Sequence, residues 1–203
     1  MASTQVNPTR MELTRLKKKL VTATRGHKLL KDKRDELMRQ FLDLARENMA
    51  LRLKVEEGIR SANKNFVIAK AGMSEQALNA ALIAPKQEVY LETGKKNVMS
   101  VDIPVFEYKT RTADENDIYS YGFAFTSGDL DGAVKSLADI LPDMLKLSET
   151  EKACQLMAAE IEKTRRRVNA LEHVIIPETK KNIKYITMKL DENERSTQIR
   201  LMK

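Results

Sequence analysis

Cationic side chains crowd two places in this chain. One is Lys17-Lys18-Lys19, followed closely by Arg25 and Lys28; the other is Arg165-Arg166-Arg167. Such runs recognise carboxylates or phosphates, Arg through a planar fork and Lys as a point charge. The bland alternative is a solvated helix face. The sharper ones are an acidic protein surface or a nucleic acid.

Residues able to do covalent or proton-transfer chemistry are scarce. The chain holds two His and one Cys. It contains no Gly-rich phosphate loop, no GxSxG, no HExxH and no CxxC. His27 and Cys154 fall on apolar faces and read as packed residues, and His173 is isolated. Asp and Glu are abundant but sit among basic neighbours. The reading is a non-enzyme with no metal and no cofactor.

The elements that carry the cations are long. From Leu13, steps of three and four reach Leu16, Leu20, Ala23, His27, Leu30, Arg34, Leu37, Phe41, Leu44, Asn48, Leu51 and Val55, and ten of these thirteen are apolar. A heptad pattern held for about six repeats predicts a coiled coil. At about 1.5 Å per residue, Thr9 to Val55 spans roughly 70 Å. Asn7-Pro8-Thr9 reads as its start and Glu56-Glu57-Gly58 as its stop.

A second such stretch runs through Leu147, Thr150, Cys154, Met157, Ile161, Thr164, Val168, Leu171 and Ile175. There the register jumps by four and resumes through Thr179, Ile183, Ile186, Leu190, Asn193 and Thr197. A jump of this kind is a stutter, and Pro177 beside it predicts a kink. A helix from about Pro142 to Lys203 would span roughly 90 Å. Arg165–Arg167 lie off its apolar stripe, as the other basic patch lies off the first.

Composition separates the middle. Six of seven Gly and three of five Pro lie between Gly58 and Pro142. Eight of ten aromatics (Phe66, Tyr90, Phe106, Tyr108, Tyr119, Tyr121, Phe123, Phe125) lie between Gly58 and Asp129. Residues 58–85 read as further helix interrupted near Gly72. Glu88–Thr93 and Asn97–Phe106 read as two strands joined by a loop at residues 93–97. Val89, Leu91, Val101, Ile103 and Val105 alternate with charge or polar residues. Residues 108–129 read as loop. The fold class is therefore mainly α: a long antiparallel two-helix coiled coil built from the chain's two ends. A small middle insert holds a β-hairpin and short helices. The expected divisions are 1–57, 58–129 and 130–203.

Charge follows the same division. Residues 1–55 carry 14 Lys and Arg against 6 Asp and Glu, while residues 58–129 carry 8 against 9. A nucleic-acid site usually sets stacking aromatics beside its cations, and here the aromatics lie in the near-neutral middle. Nothing reads as a signal peptide, and no apolar run approaches the span of a bilayer, so a cytoplasmic protein is expected.

Two runs carry more than periodicity: PTRMELTRLKKKL with GHKLLKDKRDEL, within residues 7–37, and TRRRVNALE over residues 164–172, followed by Ile175-Ile176-Pro177. Together they closely resemble the D subunit of the V-type and A-type rotary ATPases, in its bacterial and archaeal form. The resemblance covers nearly the whole chain, the middle by layout alone. It implies a central-stalk rotor axle that binds no nucleotide. The paired terminal helices would enter a hexamer of catalytic and non-catalytic subunits. The middle would sit at the foot, near the F subunit and the subunit linking the stalk to the membrane ring. Torque would pass between ATP hydrolysis or synthesis and H⁺ or Na⁺ transport. The implied head contacts are Arg165, Arg166, Arg167, Lys17, Lys18, Lys19, Arg25 and Lys28. The foot contacts are Val89, Leu91, Val101, Ile103 and Val105, which could instead brace the coiled coil. The seam would be Leu16, Leu20, Leu30, Leu37, Phe41, Leu44, Ile161, Val168, Leu171 and Ile186. No nucleic acid and no direct membrane insertion are expected. A coiled-coil adaptor of an export apparatus and a nucleic-acid-binding coiled coil remain as alternatives.

Overall fold

A computed structural model describes residues 6–112, 114–122 and 126–202. Phe123 and Phe125, counted among the middle aromatics, lie outside the described residues. The fold is mainly helical, with a two-stranded antiparallel hairpin in the middle of the chain. In order come α1 (Arg10–Gly72), α2 (Glu75–Leu82), β1 (Val89–Val98), β2 (Val101–Thr110), a 3-10 turn (Glu115–Ile118) and α3 (Gly128–Ala170). A π turn (Leu171–Ile175) and α4 (Ile176–Leu201) complete it. The chain divides into two compact units, a terminal one of residues 1–38 and 159–203 and a middle one of residues 39–158.

In the terminal unit, α1 begins where the sequence provides a cap. The Thr9 hydroxyl accepts from the Glu12 N–H at 3.2 Å, satisfying one of the donors that a helix start leaves free. The helices run antiparallel. Arg10 pairs with Glu194 at 2.6 Å, His27 meets Glu172 at 3.4 Å and Lys33 approaches Glu160 at 3.6 Å. Leu16, Leu37, Ile161, Thr164, Val168, Thr179 and Ile186 are buried along the seam. The heptad reading ends sooner than expected, because Asn193 and Thr197 are exposed. Both are polar, so little is lost when they face water, and the Arg10–Glu194 pair still links the helices at that level.

The stutter has a definite form. Leu171–Ile175 make a π turn, closed by the Ile176 N–H donating to the Leu171 carbonyl five residues back. A π turn takes up one surplus residue, which is what a step of four in place of three demands. It also receives Pro177, which has no N–H to give and whose ring would clash in a continuous α-helix.

In the middle unit, the expected stop at Gly58 is wrong: α1 continues through Gly58 to Gly72. Gly58 is there for close packing. A Cβ on it would lie 2.8 Å from Cδ1 and Cγ1 of Ile140 on α3. The expected start of the second long helix near Pro142 is also wrong, since α3 begins at Gly128 and includes Pro142. Pro142 lies on the exposed face, where water can take the carbonyl its missing N–H leaves unbonded. Lys146–Glu47 at 3.0 Å and Lys54–Asp143 at 2.7 Å fix the antiparallel register. Beyond Gly72, α2 starts on a Ser74 cap. Its Leu78 and Ala81 join Ala69 and Leu130 in a small core, against which Phe66, Met73, Tyr121 and Val134 pack.

The hairpin turns elsewhere than expected. Residues 93–97 lie within β1, and the chain reverses at Met99-Ser100, between the paired Val98 and Val101. Met99 and Ser100 have φ of 51° and 72°, the left-handed conformation at both centres of a two-residue loop. Asn97 fastens it: its side-chain oxygen accepts from the Ser100 N–H at 3.2 Å, and its amide donates to Asp102 at 2.6 Å. Gly94, which invited the loop reading, carries no positive φ and pairs with Val105.

Candidate functional site: cationic and hydrophobic surfaces on paired helices

The candidate head contacts all fall in the terminal unit, and all are exposed: Lys17, Lys18, Lys19, Arg25 and Lys28 on α1, Arg165, Arg166 and Arg167 on α3. Each is displaced from the seam because its neighbours at helical spacing, Leu16 and Leu20 or Thr164 and Val168, take the inward face. The three arginines are not equivalent. Arg166 is engaged by Glu162 one turn back, whereas Arg165 and Arg167 make no ion pair among the described residues. Lys17, Lys18, Lys19, Arg25 and Lys28 likewise make none there.

That difference matters chemically. A cation already held by a carboxylate has spent part of its attraction, whereas an unpaired one is available to a partner. By sequence the terminal unit holds 21 Lys and Arg against 11 Asp and Glu, a net +10. The middle unit holds 15 against 18, a net −3. The basic surplus thus belongs to one unit.

The five candidate foot residues divide between two roles. Val101 is buried, and Ile103 and Val105 are half-buried. With Val98, Ile103 and Val105 line a cavity whose far wall is Leu44, Ala153 and Met157 of α1 and α3. The Phe106 N–H donates to Glu149 of α3 at 3.3 Å, holding this hairpin face to the helices. Val89 and Leu91 lie on the other face, paired with Thr110 and Tyr108, and Val89, Leu91 and Tyr108 are exposed. Sequence reasoning missed Tyr108 as a surface residue. Its spacing of two from Phe106, which puts both on one face of β2, would have found it.

At the root of the hairpin, Gln87 and Thr112 exchange hydrogen bonds at 3.2–3.4 Å, and the Thr112 hydroxyl donates to Asp117 at 2.8 Å. Lys86 pairs with the same carboxylate and, with Thr112, holds it below the usual carboxylate range. Burial, and then the hydrogen bond it donates to Asp131 at 2.8 Å, push the Tyr121 hydroxyl well up. Burial also raises the Cys154 thiol, as suits a packing residue. His27 is half-buried beside Glu172. No helix among the described residues is long and apolar enough to cross a membrane.

These features define a paired-helix protein whose surfaces suit assembly with other chains. The family model for the D subunit of ATP synthase matches residues 12–203. The V-type ATP synthase D subunit of Acetivibrio thermocellus is 61% identical over 203 residues, covering all of this chain and 91% of the relative. Its counterpart in Clostridioides difficile is 58% identical with the same coverage. That in Clostridium botulinum strain Alaska E43 is 56% identical, over all of this chain and 96% of the relative. The chain belongs to the D-subunit family of ATP synthases and is thereby a component of an ATPase complex of the V/A type.

Proposed function

We propose that this chain is the non-catalytic rotor axle of its complex, carrying torque between the ATP-hydrolysing head and the ion-transporting membrane ring. The observation that carries the reading is the partition of charge. The unit built from the chain's two ends bears a net +10, and the cations singled out on its α1 face make no ion pair among the described residues. In this reading the terminal unit enters the hexamer of catalytic and non-catalytic subunits. Arg165, Arg167, Lys17, Lys18, Lys19, Arg25 and Lys28 meet acidic loops there, with Arg166 joining once it leaves Glu162.

An axle must be pushed without being locked. Exposed ion pairs suit that task, because each contributes about 0–1 kcal/mol and can be exchanged for the next at little cost. The buried seam does the opposite work, holding the two helices as one mechanical part. The middle, residues 58–129, sits at the foot. Val89, Leu91 and Tyr108 present the apolar surface for the F subunit, while Val101, Ile103 and Val105 brace the hairpin on the helices. A further component links the foot to the membrane ring. The protein is then cytoplasmic, peripheral to the membrane through its complex, and binds neither nucleotide nor nucleic acid.

The test is native mass spectrometry of the chain co-expressed with the catalytic and non-catalytic subunits of its own host. One copy per hexamer of three plus three is expected. Several copies, or none, would remove the axle reading and bring forward a role as a coiled-coil adaptor or a nucleic-acid binder.

A further inference from the structure

Within the terminal unit, one level of the helix pair is built unlike the rest. The seam above it runs Ile161, Thr164, Val168, Leu171; the seam below runs Thr179, Ile183, Ile186, Leu190. Continued downward in its own rhythm, the upper seam reaches Ile175. Continued upward, the lower seam reaches Ile176. Both isoleucines are half-buried. The single place that the seam offers between Leu171 and Thr179 therefore has two adjacent apolar claimants of the same kind.

The backbone offers the same choice. The Leu171 carbonyl accepts from the Ile176 N–H, the five-residue bond of the π turn. In an α turn it would accept from the Ile175 N–H instead. Exchanging one donor for the other passes the freed Ile176 N–H to the Glu172 carbonyl, moves the surplus toward Pro177 and trades Ile176 for Ile175 in the seam.

The surplus cannot wander further. On the C-terminal side Pro177 has no N–H with which to continue either pattern. On the N-terminal side the lower rhythm would place Glu172, Asn169 and Arg165 in the seam, in place of Leu171, Val168 and Thr164. That would bury charge against apolar neighbours. On the facing helix, His27 touches Glu172 on the π turn itself, and a Cβ on its neighbour Gly26 would meet nothing within 4 Å.

We infer that Leu171–Ile175 is a two-position joint, in which Ile175 and Ile176 alternate as the seam residue while the helices on either side keep their register. The exchange turns residues 172–176 about the helix axis between two seams that stay in place. Its use, letting this level yield locally while the part is loaded, rests on the axle reading; its existence does not.

The test uses the full chain alone, so a failed axle reading leaves it standing. Hydrogen–deuterium exchange should show amides of residues 172–176 exchanging on the order of tenfold faster than those of 160–168 and 182–190. Spin labels at His173→Cys, on the joint, and Lys184→Cys, beyond it, with Cys154→Ser, should give two distance populations. Deleting the exposed Val174 removes the surplus residue and should merge them into one, with exchange over the joint slowed to that of its flanks. A single narrow population in the undeleted chain, or exchange there as slow as in the flanks, overturns the joint, whether or not the deletion variant folds.

Discussion

Arg165, Arg166 and Arg167 show why position in a cationic run is not enough to rank its members. All three are exposed, yet among the described residues only Arg166 is paired with a carboxylate. Replacing Arg165 and Arg167 together by Ala should lower ATP turnover of the assembled complex more than Arg166→Ala does. Both variants should keep the melting temperature of the parent, since surface changes of this kind usually fall within about 0.5 kcal/mol. Equal losses from the two variants would mean that Glu162 does not hold Arg166 back. Asp117 makes a second residue-scale case. Lys86 first, and then Thr112, depress its folded pKa, so its contribution to stability is present above the unfolded value of 3.8 and lost as pH falls through the folded one. Thermal melts of the chain and of Asp117→Asn should therefore differ at neutral pH and converge in acid. A gap that widened in acid would reverse the assigned sign. Neither the Arg166 pair nor the Asp117 clasp could be foreseen in full. The (i, i+4) spacing of Glu162 and Arg166 was legible, but Lys86 meets Asp117 only once the hairpin has closed.

Elements divide by how far apart their partners lie in sequence. The thirteen α1 seam positions from Leu13 to Val55 were readable because helix burial repeats locally, and none of them is exposed. Gly58 was misread because its purpose is a partner some eighty residues away. Gly usually weakens a helix by about 1 kcal/mol relative to Ala, so it looked like an end. Here the absent side chain admits Ile140. Gly58→Ala should therefore destabilise the protein despite its better helix propensity, while Ile140→Ala should lose burial. The double variant should recover part of the Gly58→Ala loss, an interaction of about 0.5–3 kcal/mol for residues in contact. A chemical-denaturation cycle measures it, and strict additivity would mean that the helices separate enough to admit the methyl at no cost. The hairpin was misplaced for a related reason. Gly94 advertised a turn, whereas the real one uses Met99 and Ser100 at positive φ, fastened by Asn97 and Asp102. Two residues without special backbone freedom give no sequence signal for such a turn.

At the scale of the molecule, the sequence announced a basic N-terminal stretch and a near-neutral middle, and its ends were legible as helices because heptads need no tertiary knowledge. What stayed hidden is where the helix pair divides: the terminal unit takes only residues 1–38 and 159–203, and their surplus adds to +10 there. Summed charge of one sign acts at a distance that single contacts do not, and salt screens it: the Debye length falls from about 10 Å at 0.1 M to about 3 Å at 1 M. The two proposed interfaces should consequently respond differently to salt. Association with the catalytic hexamer, through unpaired Lys and Arg, should weaken steeply as ionic strength rises. Association of the hairpin with the F subunit, through Val89, Leu91 and Tyr108, should hold or strengthen, because apolar burial is not screened. Binding constants measured by calorimetry for each partner over the same salt series decide it. Parallel slopes would mean that charge serves both surfaces, and that the exposed hairpin face is not the apolar contact assigned to it.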